Sequence, residues 1–401
     1  MNLVPFSSEH LRVNTALPFD IVDQAGVLLM PKGAVLSDSG QLRQLQSHTL
    51  MVDEEQTEEW RRGLAGKIDS MVRQNVMLKT IAKASPDQAH PLIRPAEALS
   101  LPSEVSVLQM RLSQLLRDTH AEPGWKARVE ALALRVQQLT ERDADALLYL
   151  LVQTSTHHTE HYSSCHAFLC AVVAELCARQ LQWSAELRRS LVHAALTMNL
   201  AMTSLQNSLA LQDQPLSAEQ KQRIADHPAQ GVQMLRNAGV DDAVWLDVVA
   251  LHHGGVNAES PLAELSSAQC AARVLQRVDV FTAKISPRKG RVGLPAPLAA
   301  RDACLGPNGR PDEVGGATIK ALGIYPPGSY VKLASGEVAV VMRRGARADR
   351  PRVGSIVSRE GQVMGVPALR DTTDPRHEVK GAVRTNEIRV RVNHERMLAL
   401  R

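Results

Sequence analysis

Along residues 105–285 apolar positions recur at spacings of three and four almost without interruption, the period of helices that each bury a stripe. In 162-YSSCHAFLCAVVAELCARQLQW-183 the positions His166, Leu169, Cys170, Val173 and Leu176 share one helical face. After 320-KALGIYPPGSYV-331 the period changes to strand-like alternation in 330-YVKLASGEVAVVMRR-344, 352-RVGSIVS-358 and 388-IRVRV-392. Toward the start, residues 11–53 contain 17-LPFDIVDQAGVLLMPKGAVLS-37, short strands punctuated at Gly26 and 31-PKG-33, then a short helix and 50-LMVDEE-55. A polar helix is expected from Glu58 to about Lys83, and the four prolines of 84-ASPDQAHPLIRPAEALSLPSE-104 mark a linker. The expected fold class is mainly α. Residues 1–57 form a small β-containing N-terminal module, 58–104 a helix and Pro-rich linker, 105–325 a helical domain, and 326–401 a β-rich C-terminal appendage.

Composition agrees with helix packing, since aromatic residues make up only 3 % and Leu, Ala and Val carry most of the apolar 44 %. The net charge of +4 is too small to imply a polyanion partner, and no DNA partner is expected. It is unevenly spread: residues 342–401 hold 14 Lys and Arg against 7 Asp and Glu, an excess of seven that leaves the rest at −3. Solvated strand faces account for such a tail more cheaply than a nucleic acid or membrane surface. The opening MNLVPFSSEHLRVN lacks the pattern of a secretory signal. The most apolar stretch, 167-AFLCAVVAELCA-178, is interrupted by Glu175, so no membrane insertion and a cytoplasmic location are expected. Five cysteines without a C-x-x-C pair read as small buried thiols.

Chemistry is suggested by 246-LDVVALHHGGVNAESP-261, where an apolar run meets His252, His253 and two glycines. Histidine near a helix C-terminus with glycine just beyond is also an ordinary helix ending. Company for the pair comes from His166, from His227 in 227-HPAQGVQML-235, and from Asp279 in 273-RVLQRVDVFTAK-284. Imidazoles and a carboxylate delivered by separate helices are how a bundle builds an inward-facing metal site for phosphoester hydrolysis.

From about residue 140 to 342 the chain resembles the HD-GYP family, HD-superfamily phosphodiesterases of the bacterial second messenger cyclic di-GMP. Tyr162 and His166 are similar to its Tyr/Glu-x-x-x-His helix, 227-HPAQG-231 to its His-Pro-x-x-Gly motif, and His252 and His253 to its paired histidines. The segment 278-VDVF-281 resembles Ala-Asp-Val-Tyr/Phe, and Arg288 and Arg291 match the arginines of Arg-Pro-Tyr-Arg. The most specific match is 322-LGIYPPGSYVKLASGEVAVV-341, which sides with HD-GYP over the HDOD interaction scaffolds of the same superfamily. The N-terminal module around 17-LPFD-20 is similar to one often found ahead of such domains.

The namesake segment departs from this pattern. Ala-Ala-Leu-Leu-His-Asp-Ile-Gly-Lys aligns on 194-AALTMNLAM-202, putting Met198 where the ligand histidine belongs and Asn199 where the bridging aspartate belongs. Lys-Pro-Gly-x-Leu falls on 212-QDQPL-216, so Met202 and Gln212 replace both usual lysines. The loop 254-GGVNAESP-261 lacks Gly-Tyr-Pro, and Thr282 replaces the second aspartate of Asp-x-x-Asp. The resemblance therefore implies an HD-type helical bundle whose first metal site keeps only His166 and Asp279. The second keeps His227, His252 and His253, enough for one divalent Fe, Mn or Zn, or for none if these histidines are relics. Arg288 and Arg291 are the expected phosphate-binding residues. The expected function is that of a catalytically impaired member acting on cyclic di-GMP, a related nucleotide or a signalling protein partner by binding. An active phosphodiesterase with one metal or atypical ligands is the alternative.

Overall fold

The computed structural model describes residues 3–6, 11, 16–17, 19–23, 28–36, 45, 49–54, 100–117, 119, 124–157, 161–257, 259–306, 309–390 and 392–400. The polar helix expected at 58–83 and most of the proline-rich linker lie outside the described residues. The chain divides into two compact units, Met1–Met110 and Arg111–Arg401.

In the first unit β1 (Leu3–Pro5), β2 (Ile21–Val22), β3 (Leu28–Met30) and β4 (Met51–Asp53) form an antiparallel sheet in the order β1-β4-β2-β3. Its core is Leu17, Phe19, Ile21, Leu36, Leu50 and Val52, with the Phe6 ring edge-on to Phe19 at 5.0 Å. This is the small β-containing module that the alternating pattern predicts.

Among the described residues, the helices given with full bounds begin with α1 (Leu101–Arg117) and α2 (Trp125–His157). Asp143 interrupts α2 with non-helical backbone, and its Oδ1 accepts from the Ala146 amide at 3.1 Å, so a new helix is capped inside the old one. There follow α3 (Tyr162–Gln180), α4 (Ala185–Thr197), a 3-10 turn at Leu200–Met202, α5 (Thr203–Ala210), α6 (Ala218–Asn237), α7 (Ala243–Leu251), α8 (Ser267–Ile285), α9 (Ala296–Cys304) and α10 (Glu313–Leu322). Ser217 and Ser266 open α6 and α8 with capping boxes completed by Gln220 and Gln269.

α3 is the hub of the bundle, packed against α2, α4, α8 and α10. Every residue from Tyr162 to Ala178 is buried, so the single apolar face expected for this segment becomes burial all round. Glu175 is among them, its Oε1 accepting from Arg179 Nε and Arg188 at 2.7 Å each and its Oε2 from Gln137 at 3.0 Å.

The second sheet has the antiparallel order β8-β7-β6-β5-β9. Its strands are β5 (Tyr330–Leu333), β6 (Val338–Arg343), β7 (Arg352–Val357), β8 (Val363–Asp371) and β9 (Val379–Ala382), followed by α11 (His394–Leu398). The 330–344 alternation is thus a hairpin, its turn made by Gly336 at φ +89. No strand forms at Ile388–Val390; the strand that pairs with the edge of β5 is β9. β8 carries Pro367 and two exposed valines, a pattern tolerated only on an edge, and β8 is one. Much of the basic excess here is paired, as in Arg350 with Glu378, Arg370 with Glu337 and Arg376 with Asp374.

The appendage is fastened to α2. Gln153 donates to the Gly328 carbonyl at 2.6 Å and accepts from the Tyr330 hydroxyl at 3.0 Å. Gly328 has φ +91, and a side chain there would strike Val152 and the Tyr149 carbonyl. The Pro-Pro-Gly-Ser segment, part of the most specific stretch of the resemblance, thus serves as a close-packed clasp.

His193 on α4 is buried against Trp245, ring centroids 4.6 Å apart, and burial pushes its pKa down to about 4. The folded value lies below the 6.5 of an ordinary histidine, so its contribution to stability is complete above about pH 6.5 and is lost as pH falls toward 4. The loss should approach about 3 kcal/mol at roughly 1.4 kcal/mol per pH unit. Urea denaturation from pH 7 to pH 4 is expected to show a shallower loss for His193→Phe than for the unaltered chain. Equal slopes would remove His193 from the account.

Candidate metal centre

Each histidine is aimed by local backbone chemistry. His227 precedes Pro228 inside α6, and proline has no N–H to give to the carbonyl four residues back, that of Ile224. The His227 Nδ1–H donates to that carbonyl at 2.6 Å. His252 caps the end of α7, where carbonyls lack intrahelical partners, and its Nδ1–H donates to Val249 O at 2.7 Å. A carbonyl only accepts, so both protons sit on Nδ1 and both Nε2 atoms carry lone pairs. The glycine stop expected here is present too, with Gly255 at φ +82.

Those two Nε2 atoms face each other at 3.2 Å, close to the edge of ~3.3 Å between nitrogens about 2.0–2.1 Å from a tetrahedral cation. His253 completes the group, its ring centroid 4.1 Å from that of His252 and 5.0 Å from that of His227. The ligand atoms of the three lie within 4.8 Å of one another. Burial, and then the neighbouring His253 imidazole, push His252 down to about 3; burial also lowers His227. Two neutral imidazoles with opposed lone pairs are an arrangement that a cation relieves.

The other half of the centre comes from α3 and α8. His166 Nε2 meets Asp279 Oδ1 at 2.7 Å, and the Cys170 sulfur, one turn further along α3, lies 3.6 Å from the same nitrogen. Burial opposes a charge on His166, yet Cys170 and the Asp279 carboxylate outweigh it and raise its pKa well above the ordinary histidine value. Burial would raise Asp279, but His166 overrides it and holds the carboxyl low; His252 and His253 act on it in the same sense. Asp279 therefore lies within electrostatic reach of the triad as well as in contact with His166. The His166 Nδ1 is buried without a partner. The remaining cysteines behave as the sequence suggests, buried thiols outside any disulfide, with burial pushing Cys165 and Cys177 up to about 12.

Met198 is fully buried at the C-cap of α4, and Asn199, which is 5 % exposed, opens the 3-10 turn with its Oδ1 lacking any partner. They adjoin the turn of α6 that carries His227: a side-chain carbon on Gly231 would stand 3.9 Å from the Met198 carbonyl. Gln212 is engaged with Gln220 at 2.8 Å. The loop after the histidine pair is held by Arg273, which donates to the carbonyls of Asn257 and Ser260.

Arg288 and Arg291 lie together at a tight turn but differ in use. Arg288 stands 5.3 Å over the Tyr162 ring and donates to its hydroxyl at 3.3 Å. Tyr162 stacks in turn on His166, centroids 5.9 Å apart, so Arg288 is coupled to the centre through one ring. Arg291 donates to the carbonyls of Ala283 and Ser286 at the end of α8. Both line a cavity of about 530 Å³ together with Lys289, His157, Thr385 and Asn386. Sequence reasoning missed Cys170 as a member of the site, although its spacing of four from His166 was the available signal.

No family model matches this chain. A curated relative, the Cyclic di-GMP phosphodiesterase PA4108 of Pseudomonas aeruginosa, is 28 % identical over 280 residues, covering 68 % of this chain and 64 % of its own length. The chain therefore spans somewhat less than two thirds of that relative. A solved structure, Bd1817, a HDG"Y"P protein from Bdellovibrio bacteriovorus, matches with a TM-score of 0.44 and 14 % identity over 79 % of this chain and 98 % of its own, too loose a likeness to bear on the site. Among the described residues no helix is long and apolar enough to cross a membrane. Over 68 % of its length the chain is thus similar to a cyclic di-GMP phosphodiesterase, and its fold gathers His227, His252 and His253 into one group of potential metal ligands and His166 and Asp279, with Cys170, into another.

Proposed function

We propose that this protein works in cyclic di-GMP-type signalling as an HD-GYP member that has lost two-metal hydrolysis and acts by binding nucleotide or a protein partner. The observation that carries this reading is Asn199, a buried neutral amide with an unpartnered oxygen where the resemblance puts a bridging carboxylate. Two divalent cations sharing a hydroxide repel each other, and an anion between them is what offsets the repulsion. An amide cannot supply it. The substrate class is inferred from the relative, itself a cyclic di-GMP phosphodiesterase.

The donor set of His227, His252 and His253 fits one divalent cation, with Zn²⁺ or Fe²⁺ suiting three imidazoles. Bound there, the cation would supply Lewis acidity to a phosphate oxygen or water. The chain's own part is to hold the rings in one tautomer through Ile224 and Val249, and to present Arg288, steadied on Tyr162, to a phosphate. Three well-aimed imidazoles also favour the second reading, a phosphodiesterase working with a single metal.

Purified protein supplied with Mn²⁺ or Fe²⁺ is expected to show no appreciable turnover of cyclic di-GMP or of its linear dinucleotide. Titration calorimetry with cyclic di-GMP measures binding directly. Turnover that disappears in His252→Ala would overturn the proposal in favour of the single-metal enzyme.

A further inference from the structure

We propose that Cys170, His166 and Asp279 form a second metal site, a thiolate site for Zn²⁺ or a cation of similar softness, beside the histidine triad. The inference goes beyond the reading above and does not depend on whether the protein hydrolyses anything. Its starting point is that Met198 and Asn199 leave this half of the centre short of ligands, while a sulfur has entered it from another direction.

The geometry is specific. Cys170 follows His166 by four residues on α3, so the two side chains project from the same face one turn apart. Their donor atoms are 3.6 Å apart. Around a tetrahedral Zn²⁺, with nitrogen at about 2.0–2.1 Å and sulfur at about 2.3 Å, the nitrogen-to-sulfur edge is also ~3.6 Å. Asp279 Oδ1 lies 2.7 Å from the same nitrogen, and all three donor atoms fall within 4.8 Å of one another. Only a small opening of the His166–Asp279 contact is needed to admit an ion.

The surroundings select the cation. Cys170 and His166 are buried, at 0 % and 2 % exposure, and Asp279 is 15 % exposed. An oxygen-preferring ion such as Mg²⁺ would find one carboxylate and little water, whereas thiolate with imidazole suits Zn²⁺. On binding, the thiol proton and the proton shared between His166 and Asp279 leave to solvent, and the thiolate and carboxylate together balance the charge of the ion. Cys170 thus joins His166 and Asp279 as a donor where Met198 and Asn199 supply none.

The test is cobalt substitution in the full-length chain, stripped with chelator and reloaded with Co²⁺. The expected result is a sulfur-to-cobalt charge-transfer band in the near ultraviolet, bleached when Zn²⁺ is added. Cys170→Ser should abolish the band, remove one metal equivalent and weaken Zn²⁺ binding at this site by at least about tenfold. His253→Ala should leave the band intact and affect only the triad's metal, and Cys165→Ser should retain it as the control for an unrelated thiol. A wild-type protein saturated with Co²⁺ that shows no thiolate band overturns the proposal without any variant. So does a band that survives in Cys170→Ser. Either result leaves the triad, and the hydrolysis assay, to be judged on their own.

Discussion

The double substitution Met198→His with Asn199→Asp is expected to give measurable hydrolysis of cyclic di-GMP where the unaltered chain gives none. The two changes restore an imidazole and a bridging carboxylate in a scaffold that already holds His166, Asp279 and the triad in place. Removing one preorganised electrostatic group from an active site commonly costs roughly 100–1000-fold in rate, so the double variant should exceed the assay background by at least that order. Asn199→Asp alone should fall far short, because Met198 still denies that half of the centre its second imidazole. Met198 is fully buried, so the new histidine replaces a thioether of similar length in a dry position. Circular dichroism on each variant would separate a folding defect from a chemical one. Silence from a folded double variant would mean that the phosphate-binding shell has changed as well, with Met202, Gln212 and the loop held by Arg273 as the altered parts.

Glu175→Ala is expected to destabilise the helical unit by about 3 kcal/mol, the lower end of the cost of breaking a buried charge pair. The carboxylate is completely buried, and three donors from α2, α3 and α4 converge on it. Arg179 and Arg188 are 30 % and 23 % exposed and can turn to water, which keeps the penalty at that lower end. Glu175→Gln keeps the shape and should cost less, while its amide meets two guanidinium groups with one oxygen instead of a charge. Chemical denaturation of both variants gives the comparison. A change below about 0.5 kcal/mol for the alanine variant would show that the network contributes nothing net.

Glu175 also shows what can be read from a sequence. It was visible as the charge interrupting an apolar run, with Arg179 four residues on as a local partner, but Gln137 and Arg188 lie 38 and 13 residues away on other helices, and no local pattern names them. The change of period near Tyr330 was legible because alternation and helical spacing differ along a few residues. The order of His166, His227, His252, His253 and Asp279 was legible because a family motif carries it. Cys170 was overlooked, since a cysteine at core spacing between Leu169 and Val173 has the pattern of a small hydrophobe, and its place four residues from His166 on one helical face was the signal that it stands beside a histidine nitrogen. The division between Arg288 and Arg291 was not legible: two like residues three apart, one resting on a tyrosine ring and the other donating to helix-end carbonyls. β8 escaped because its glycine and proline contradict strand propensity, and edge position excuses them. Pro228 would ordinarily argue against a helix interior, and here it frees the carbonyl that orients His227.

The all-round burial of α3 has a kinetic side. Amides in a helix enclosed on every face exchange with solvent only when the surrounding helices part, so α3 should be among the slowest-exchanging segments of the chain. His253, by contrast, sits in an exposed turn past the end of a nine-residue helix, where opening costs far less. The two halves of the centre therefore rest on backbone of very different lifetime. Local fluctuation would release a cation from the triad long before it disturbed the His166 side, and in deuterium exchange a metal at the triad should protect the 252–257 turn while leaving the already silent α3 unchanged.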